Sequence, residues 1–188
     1  MNRSRFPFAS VRRTTATTFL GLALLTAGLV PSAVTAAAPL CNGLPATIVG
    51  APGQTAVRGT QGPDVIVALE RGVRIDASGG DDTICAGDGD NIINGGAGDD
   101  WIDAGGGTNS VALGAGDNTA VAGAGDDTII GGAGNDTVDA GDGDNLVSTG
   151  AGNDVIVTGA GDDRIDGAKG YDTCDGGAGA NYLGHCEA

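Results

Sequence analysis

From Gly59 to Gly184 the chain keeps one nine-residue period through fourteen consecutive copies, 126 of its 188 residues. A repeat this short constrains the fold more than any local propensity, because a nine-residue unit cannot bury an apolar face alone and must stack on copies of itself. Well-formed copies are Gly95 to Asp103 (GGAGDDWID) and Gly131 to Asp139 (GGAGNDTVD), both fitting G-G-x-G-x-D-x-U-x with U apolar. Position 8 carries Ile66, Ile75, Ile84, Ile93, Ile102, Val111, Ala120, Ile129, Val138, Val147, Ile156, Ile165, Cys174 and Leu183. Position 6 is Asp or Asn in every copy but one, where Val73 stands.

Each copy divides into a turn and a strand. Glycines at positions 2 and 4 permit positive φ and close backbone approach, so the first six residues can turn tightly. Positions 7 to 9 have room for a very short strand, with position 8 facing one way and its neighbours the other. Coiling the chain puts the position-8 column inside as a thin aliphatic ladder, and branched Ile and Val suit such a pleated surface.

The two columns together resemble the RTX, or hemolysin-type, calcium-binding repeats, and the likeness covers about two thirds of the chain. It implies an all-β fold, a right-handed parallel β-roll with two nonapeptides per coil, so that residues eighteen apart are stacked neighbours and fourteen copies make seven coils. It also implies several Ca²⁺ ions lying between successive turns, held by position-6 Asp side chains and turn carbonyls. The residues agree with that chemistry. Stacked carboxylates about 5 Å apart repel by roughly 0.8 kcal/mol even in bulk water, and turns offering only oxygen donors suit a hard cation.

Eighteen-residue spacing separates two edges. One stacks Asp64, Asp82, Asp100, Asn118, Asp136, Asp154 and Asp172; the other stacks Val73, Asn91, Asn109, Asp127, Asn145, Asp163 and Asn181. The expected metal ligands are the aspartates of both, with most of the Ca²⁺ on the first, because Asn keeps an oxygen and loses the charge. An Asn ladder can instead hydrogen-bond along its own stack. At position 7 of the acidic-edge copies, Thr83, Thr119, Thr137 and Thr173 recur, interrupted by Trp101 and Val155. A Thr row on a stiffened face carries an ice-binding or glycan-binding alternative, and an extracellular structural or adhesion solenoid stiffened by Ca²⁺ is a separate alternative reading.

The N-terminus reads as an export signal spanning residues 1–36. Arg3, Arg5, Arg12 and Arg13 form a basic start, Phe19 to Val30 an apolar run too short to anchor in a membrane, and Ser32 to Ala38 a small-residue cleavage zone, with cleavage expected after Ala36. Arg12-Arg13 also permits a twin-Arg signal. Removing this segment leaves five basic residues against 24 acidic ones, a charge of −19, and only Trp101, Tyr171 and Tyr182 as aromatics. Such acidity excludes nucleic acid and anionic membrane surfaces as partners. The expectation is a secreted monomer.

Residues 37–58 read as a lead-in that caps the first coil, with Ile48 and Val57 in phase and Thr55 where the acidic ligand belongs; residues 185–188 form the far tail. Four cysteines in an exported chain favour two disulfides over a metal site. Of three possible pairings, proximity favours Cys174 with Cys186, leaving Cys41 with Cys85, which requires the lead-in to fold back along the coils. No Ser/His/Asp or Cys/His set accompanies the lone His185, the glycine turns precede no helix as a phosphate loop would, and the EF-hand spacing fails. No enzymatic activity is expected.

Overall fold

A computed structural model describes residues 37–187; the expected export segment lies outside them. Among the described residues there are eighteen short strands and no helix. The first two, Leu40–Cys41 and Leu44–Pro45, form an antiparallel hairpin. The other sixteen alternate between two eight-stranded parallel sheets, one running from Ile48–Val49 to Thr173–Asp175 and the other from Ala56–Arg58 to Tyr182–Gly184. Within each sheet, strands pair with those eighteen residues on, as in Ile84↔Ile102 and Val111↔Ile129, so two nonapeptides make one coil of a parallel β-roll.

Two consequences of the period go beyond the consensus. The lead-in, expected only to cap, contributes the strands Ile48–Val49 and Ala56–Arg58 and thereby an eighth coil; Ile48 and Val57 keep the aliphatic column in phase, which is enough to continue the sheets without an acidic turn. The turns are also more regular than a loop. Strands Ile92–Ala97, Ser110–Ala115, Thr128–Ala133 and Leu146–Ala151 run into the first three positions of the following copy, pairing Gly96 with Gly114 and Gly114 with Gly132. Backbone bonds such as Gly98 N–H to Ala115 O and Gly116 N–H to Ala133 O, each 2.8 Å, join one turn to the next.

The core is the position-8 column plus position 1, where Ala77, Ala104, Leu113, Ala122 and Ala140 are also buried. It is only two side chains thick, so it offers little apolar burial to offset chain entropy. The last rung is open, with Leu183 46% exposed at the terminal coil.

Close stacking explains the turn glycines. Gly141 has φ +80°, and a Cβ there would strike the Gly123 carbonyl one coil below; Gly53, with φ +78°, has open space around it. Gly53→Ala should cost roughly 1 to 2 kcal/mol of left-handed strain, and Gly141→Ala more than about 4 kcal/mol, because the coil spacing itself must give. Thermal unfolding of both variants in excess Ca²⁺ measures the difference, and equal losses would contradict it.

The structure joins Cys41 to Cys85 and Cys174 to Cys186. The hairpin does fold back, laying Cys41 over the outward-facing Val67 and Cys85, with Ala46, Val65 and half-buried Trp101 packed around them. Closing 44 residues contributes about 4 kcal/mol through the unfolded chain. Cys41→Ala/Cys85→Ala should therefore lower the Tm of the Ca²⁺-loaded protein by on the order of 10 °C. An unchanged Tm would mean the hairpin adds no constraint.

Candidate metal centre

The aspartates singled out by their spacing are brought together in two buried ladders, one along each edge of the roll. Asp82, Asp100, Asp127, Asp136, Asp154, Asp163 and Asp172 are all at most 2% exposed. In each, Oδ1 accepts a backbone N–H from the position-6 residue of the preceding coil. On the acidic edge the bonds run from Asp64 to Asp82 at 2.8 Å, Asp82 to Asp100 at 2.9 Å, Asp136 to Asp154 at 2.8 Å and Asp154 to Asp172 at 2.9 Å. On the other edge, Asn109 N–H donates to Asp127 Oδ1 at 2.7 Å and Asn145 N–H to Asp163 Oδ1 at 2.8 Å.

The second oxygen is the one that matters chemically. Oδ2 of all seven aspartates is buried and meets no hydrogen-bond donor. A carboxylate oxygen can only accept, and leaving one buried and unsatisfied costs about 1 to 3 kcal/mol or more. Asp64 differs, since its Oδ2 accepts from Thr60 N–H at 2.7 Å and Thr60 Oγ at 2.9 Å. Thr60 stands where most other turns carry glycine, so of the eight aspartates expected as ligands, this one already has its partners.

Backbone carbonyls face the same space. A Cβ placed on Gly95 would lie 2.5 Å from both Asp100 Oδ2 and Leu113 O, and one on Gly167 would lie 2.6 Å from Asp172 Oδ2 and 2.5 Å from His185 O. Gly131 is set likewise against Asp136 Oδ2 and Thr149 O. Glycine at these three positions leaves a cradle lined by a carboxylate oxygen and a carbonyl of the next coil. Among the described residues no three His, Cys, Asp or Glu side chains converge on one point. The donor set is instead one carboxylate with carbonyls, all hard oxygen, which fits Ca²⁺ and not the thiolate and imidazole sites of Zn²⁺.

Burial pushes the carboxyls of Asp82, Asp100, Asp127 and Asp136 up to about 6, and raises that of Asp172. Neighbouring carboxylates add to this, Asp64 at Asp82 and Asp154 at Asp136. Each of these turns thus resists the ionised form of its own carboxyl.

Two contributors are not evident from columns 6 and 8. Position 5 forms a second, exposed ladder running the opposite way: Asp99 N–H donates back to Asp81 Oδ1 at 3.0 Å, Asp117 N–H to Asp99 Oδ1 at 2.8 Å, and Asp162 N–H to Asp144 Oδ1 at 2.8 Å. Its signal is present in the sequence, as position 5 is Asp or Asn in every copy from Asp81 to Asp162 except at Thr108. Glu187 closes the acidic edge by accepting Asp172 N–H: its backbone pairs with Thr173, as a position-7 residue of a further coil would, and its carboxylate takes the place of a position-6 aspartate, held there beside Cys186. Nothing in the nonapeptide pattern points to it.

His185 pairs with Asp166, Nδ1 to Oδ1 2.7 Å, and meets no second ligand-type side chain among the described residues. The Thr row is aligned across one sheet, with Thr83, Trp101, Thr119, Thr137, Val155 and Thr173 in register, so its interruptions by Trp101 and Val155 are interruptions of the surface as well.

Fold and turns together define a parallel β-solenoid whose edges are stacked, oxygen-lined acidic turns. The family model of the RTX calcium-binding nonapeptide repeat (4 copies) matches at residues 58–92, 76–111, 86–120, 113–147 and 148–183. The chain belongs to this family: it is a calcium-binding β-roll protein, and its many repeats imply several ions. A search of curated proteins gives no match.

Proposed function

We propose that this is an exported, non-enzymatic calcium-binding protein whose roll winds up when Ca²⁺ reaches its turns. The observation that carries the reading is the set of seven buried Oδ2 atoms without a donor. Bound Ca²⁺ supplies the positive charge that these oxygens and the facing carbonyls lack. The chain does the rest: Oδ1 of Asp82, Asp100, Asp127, Asp136, Asp154, Asp163 and Asp172 ties each coil to the one before, fixing the carboxylate so that Oδ2 points into its turn. Because every such oxygen is completed only when two coils are stacked, binding free energy becomes folding free energy and uptake should be cooperative.

Export is supported by the basic-then-apolar start of the sequence and by two disulfides, which persist in oxidising compartments. Extracellular modules work with Kd near ~10⁻⁴ to 10⁻³ M, the range in which a chain unfolded inside the cell would fold outside it. Equilibrium dialysis against millimolar Ca²⁺ tests the binding half of this. Several ions per chain are expected, and none bound would remove the proposal.

A further inference from the structure

The asparagines of the position-6 columns occupy the same place as the aspartates and solve the same problem without an ion. Asn91 Oδ1 accepts Val73 N–H at 2.9 Å and Asn145 Oδ1 accepts Asp127 N–H at 3.0 Å, as the aspartate Oδ1 atoms do. The other terminal atom, Nδ2, therefore sits where Oδ2 sits in an aspartate turn. At Asn91 it donates to three carbonyls, Gly87 O at 2.8 Å, Gly89 O at 2.9 Å and Ala104 O at 3.0 Å. At Asn109 the partners are Gly107 O at 3.1 Å and Ala122 O at 3.3 Å, and at Asn145 Gly141 O at 3.1 Å and Gly143 O at 3.0 Å. Asn118, the one asparagine of the acidic edge, donates to Gly116 O and to Asp136 Oδ1, both at 2.9 Å.

These bonds locate the oxygen cage. It consists of turn carbonyls at positions 2 and 4 and the position-1 carbonyl of the next coil, the last being the same atom type that faces Asp100 Oδ2 across the Gly95 cradle. In an aspartate turn an acceptor faces acceptors, and a cation is needed. In an asparagine turn two N–H hydrogens already fill that need.

Resting on the calcium-binding reading above, we propose that Asn91, Asn109, Asn118 and Asn145 are metal-independent turns, in which the carboxamide N–H₂ takes the place of the ion. The chain then alternates two ways of closing the same turn. Asp127 and Asp163 are ion-dependent turns set among the asparagine turns of the second edge, and Asn118 interrupts the acidic edge between Asp100 and Asp136. A carboxamide also cannot be withdrawn by a chelator, so each Asn lowers the number of ions needed before the coils can stack.

The test is a matched pair of single substitutions in the full chain, Asn145→Asp and Asp127→Asn, with bound Ca²⁺ counted by equilibrium dialysis at millimolar Ca²⁺ and folding followed by far-UV circular dichroism. Asn145→Asp is expected to gain one ion per chain and to need more Ca²⁺ to fold. Asp127→Asn is expected to lose one ion, to stay folded in Ca²⁺, and to need less of it. If Asn145→Asp leaves the count of a Ca²⁺-binding wild type unchanged, the asparagine turns already hold ions and the inference is overturned. It is overturned equally if Asp127→Asn needs more Ca²⁺ to fold. A wild type that binds no Ca²⁺ would instead bring down the underlying calcium reading, so the two failures are distinguishable.

Discussion

Stripped of Ca²⁺ by chelator at neutral pH, the chain is expected to lose its strand signal and expand, with a radius of gyration moving from about 15 Å toward the roughly 40 Å of an unfolded chain of this length. Millimolar Ca²⁺ should reverse the change in one cooperative step. The size of the effect follows from counting. Seven buried, unsatisfied carboxylate oxygens at about 1 to 3 kcal/mol each cost as much as the 5 to 15 kcal/mol that usually separates folded from unfolded domains. The thin core of Ile, Val and Ala has no aromatic reserve with which to offset that cost. Circular dichroism and small-angle scattering in chelator and then in Ca²⁺ measure it, with Trp101 as a local probe beside the hairpin. A chain equally compact and strand-rich in both conditions would refute the mechanism.

Acid should replace the metal. In the metal-free fold the carboxyls of Asp82, Asp100, Asp127 and Asp136 lie at about 6, above the 3.8 of the unfolded chain. Between those values the folded state holds more protons than the unfolded one, so this contribution to stability is fully present below pH about 3.8 and is lost as pH rises through about 6. Two pH units correspond to at most roughly 3 kcal/mol for each carboxyl. The physical event is a hydrogen placed on an oxygen that otherwise faces only acceptors, giving it the donor that asparagine has permanently. In chelator, the strand signal should therefore appear near pH 4 and fade between about pH 4 and 6, while with Ca²⁺ present affinity should fall as pH drops below about 6. The quadruple variant Asp82→Asn/Asp100→Asn/Asp127→Asn/Asp136→Asn should lose most of this pH dependence. Because the isoelectric point of the chain is near 4.1, sedimentation must accompany the measurement to separate folding from precipitation. A chain still unfolded at pH 4 in chelator would contradict the account.

Much of this architecture is legible in the sequence because a nine-residue repeat leaves few choices. The position-8 aliphatics must face inward, the position-6 column must stack at eighteen-residue spacing, and the acidic and amide edges can be separated by counting. Less visible are the residues that break the pattern. Ile48 and Val57 build a whole coil although their turns carry no acidic residue, since sheet continuation needs only the apolar column and backbone pairing. Thr60 satisfies Asp64 through its own N–H and hydroxyl, which column 6 alone cannot reveal. Glu187 caps the edge from outside the repeat, because the disulfide at Cys186 places it there and the period does not.

Side-chain identity repeated at a fixed spacing is enough to dictate the parallel stacking, the inward aliphatic ladder and the acidity of the turns. Which oxygen of each aspartate is already used, and which is left over, emerges only when the coils are stacked in three dimensions. That distinction depends on a backbone N–H eighteen residues away arriving at Oδ1, and on whether an amide hydrogen, a threonine or nothing reaches the partner atom. Hydrogen bonds between coils are set by spatial register at tenths of an ångström, a precision that residue spacing does not encode.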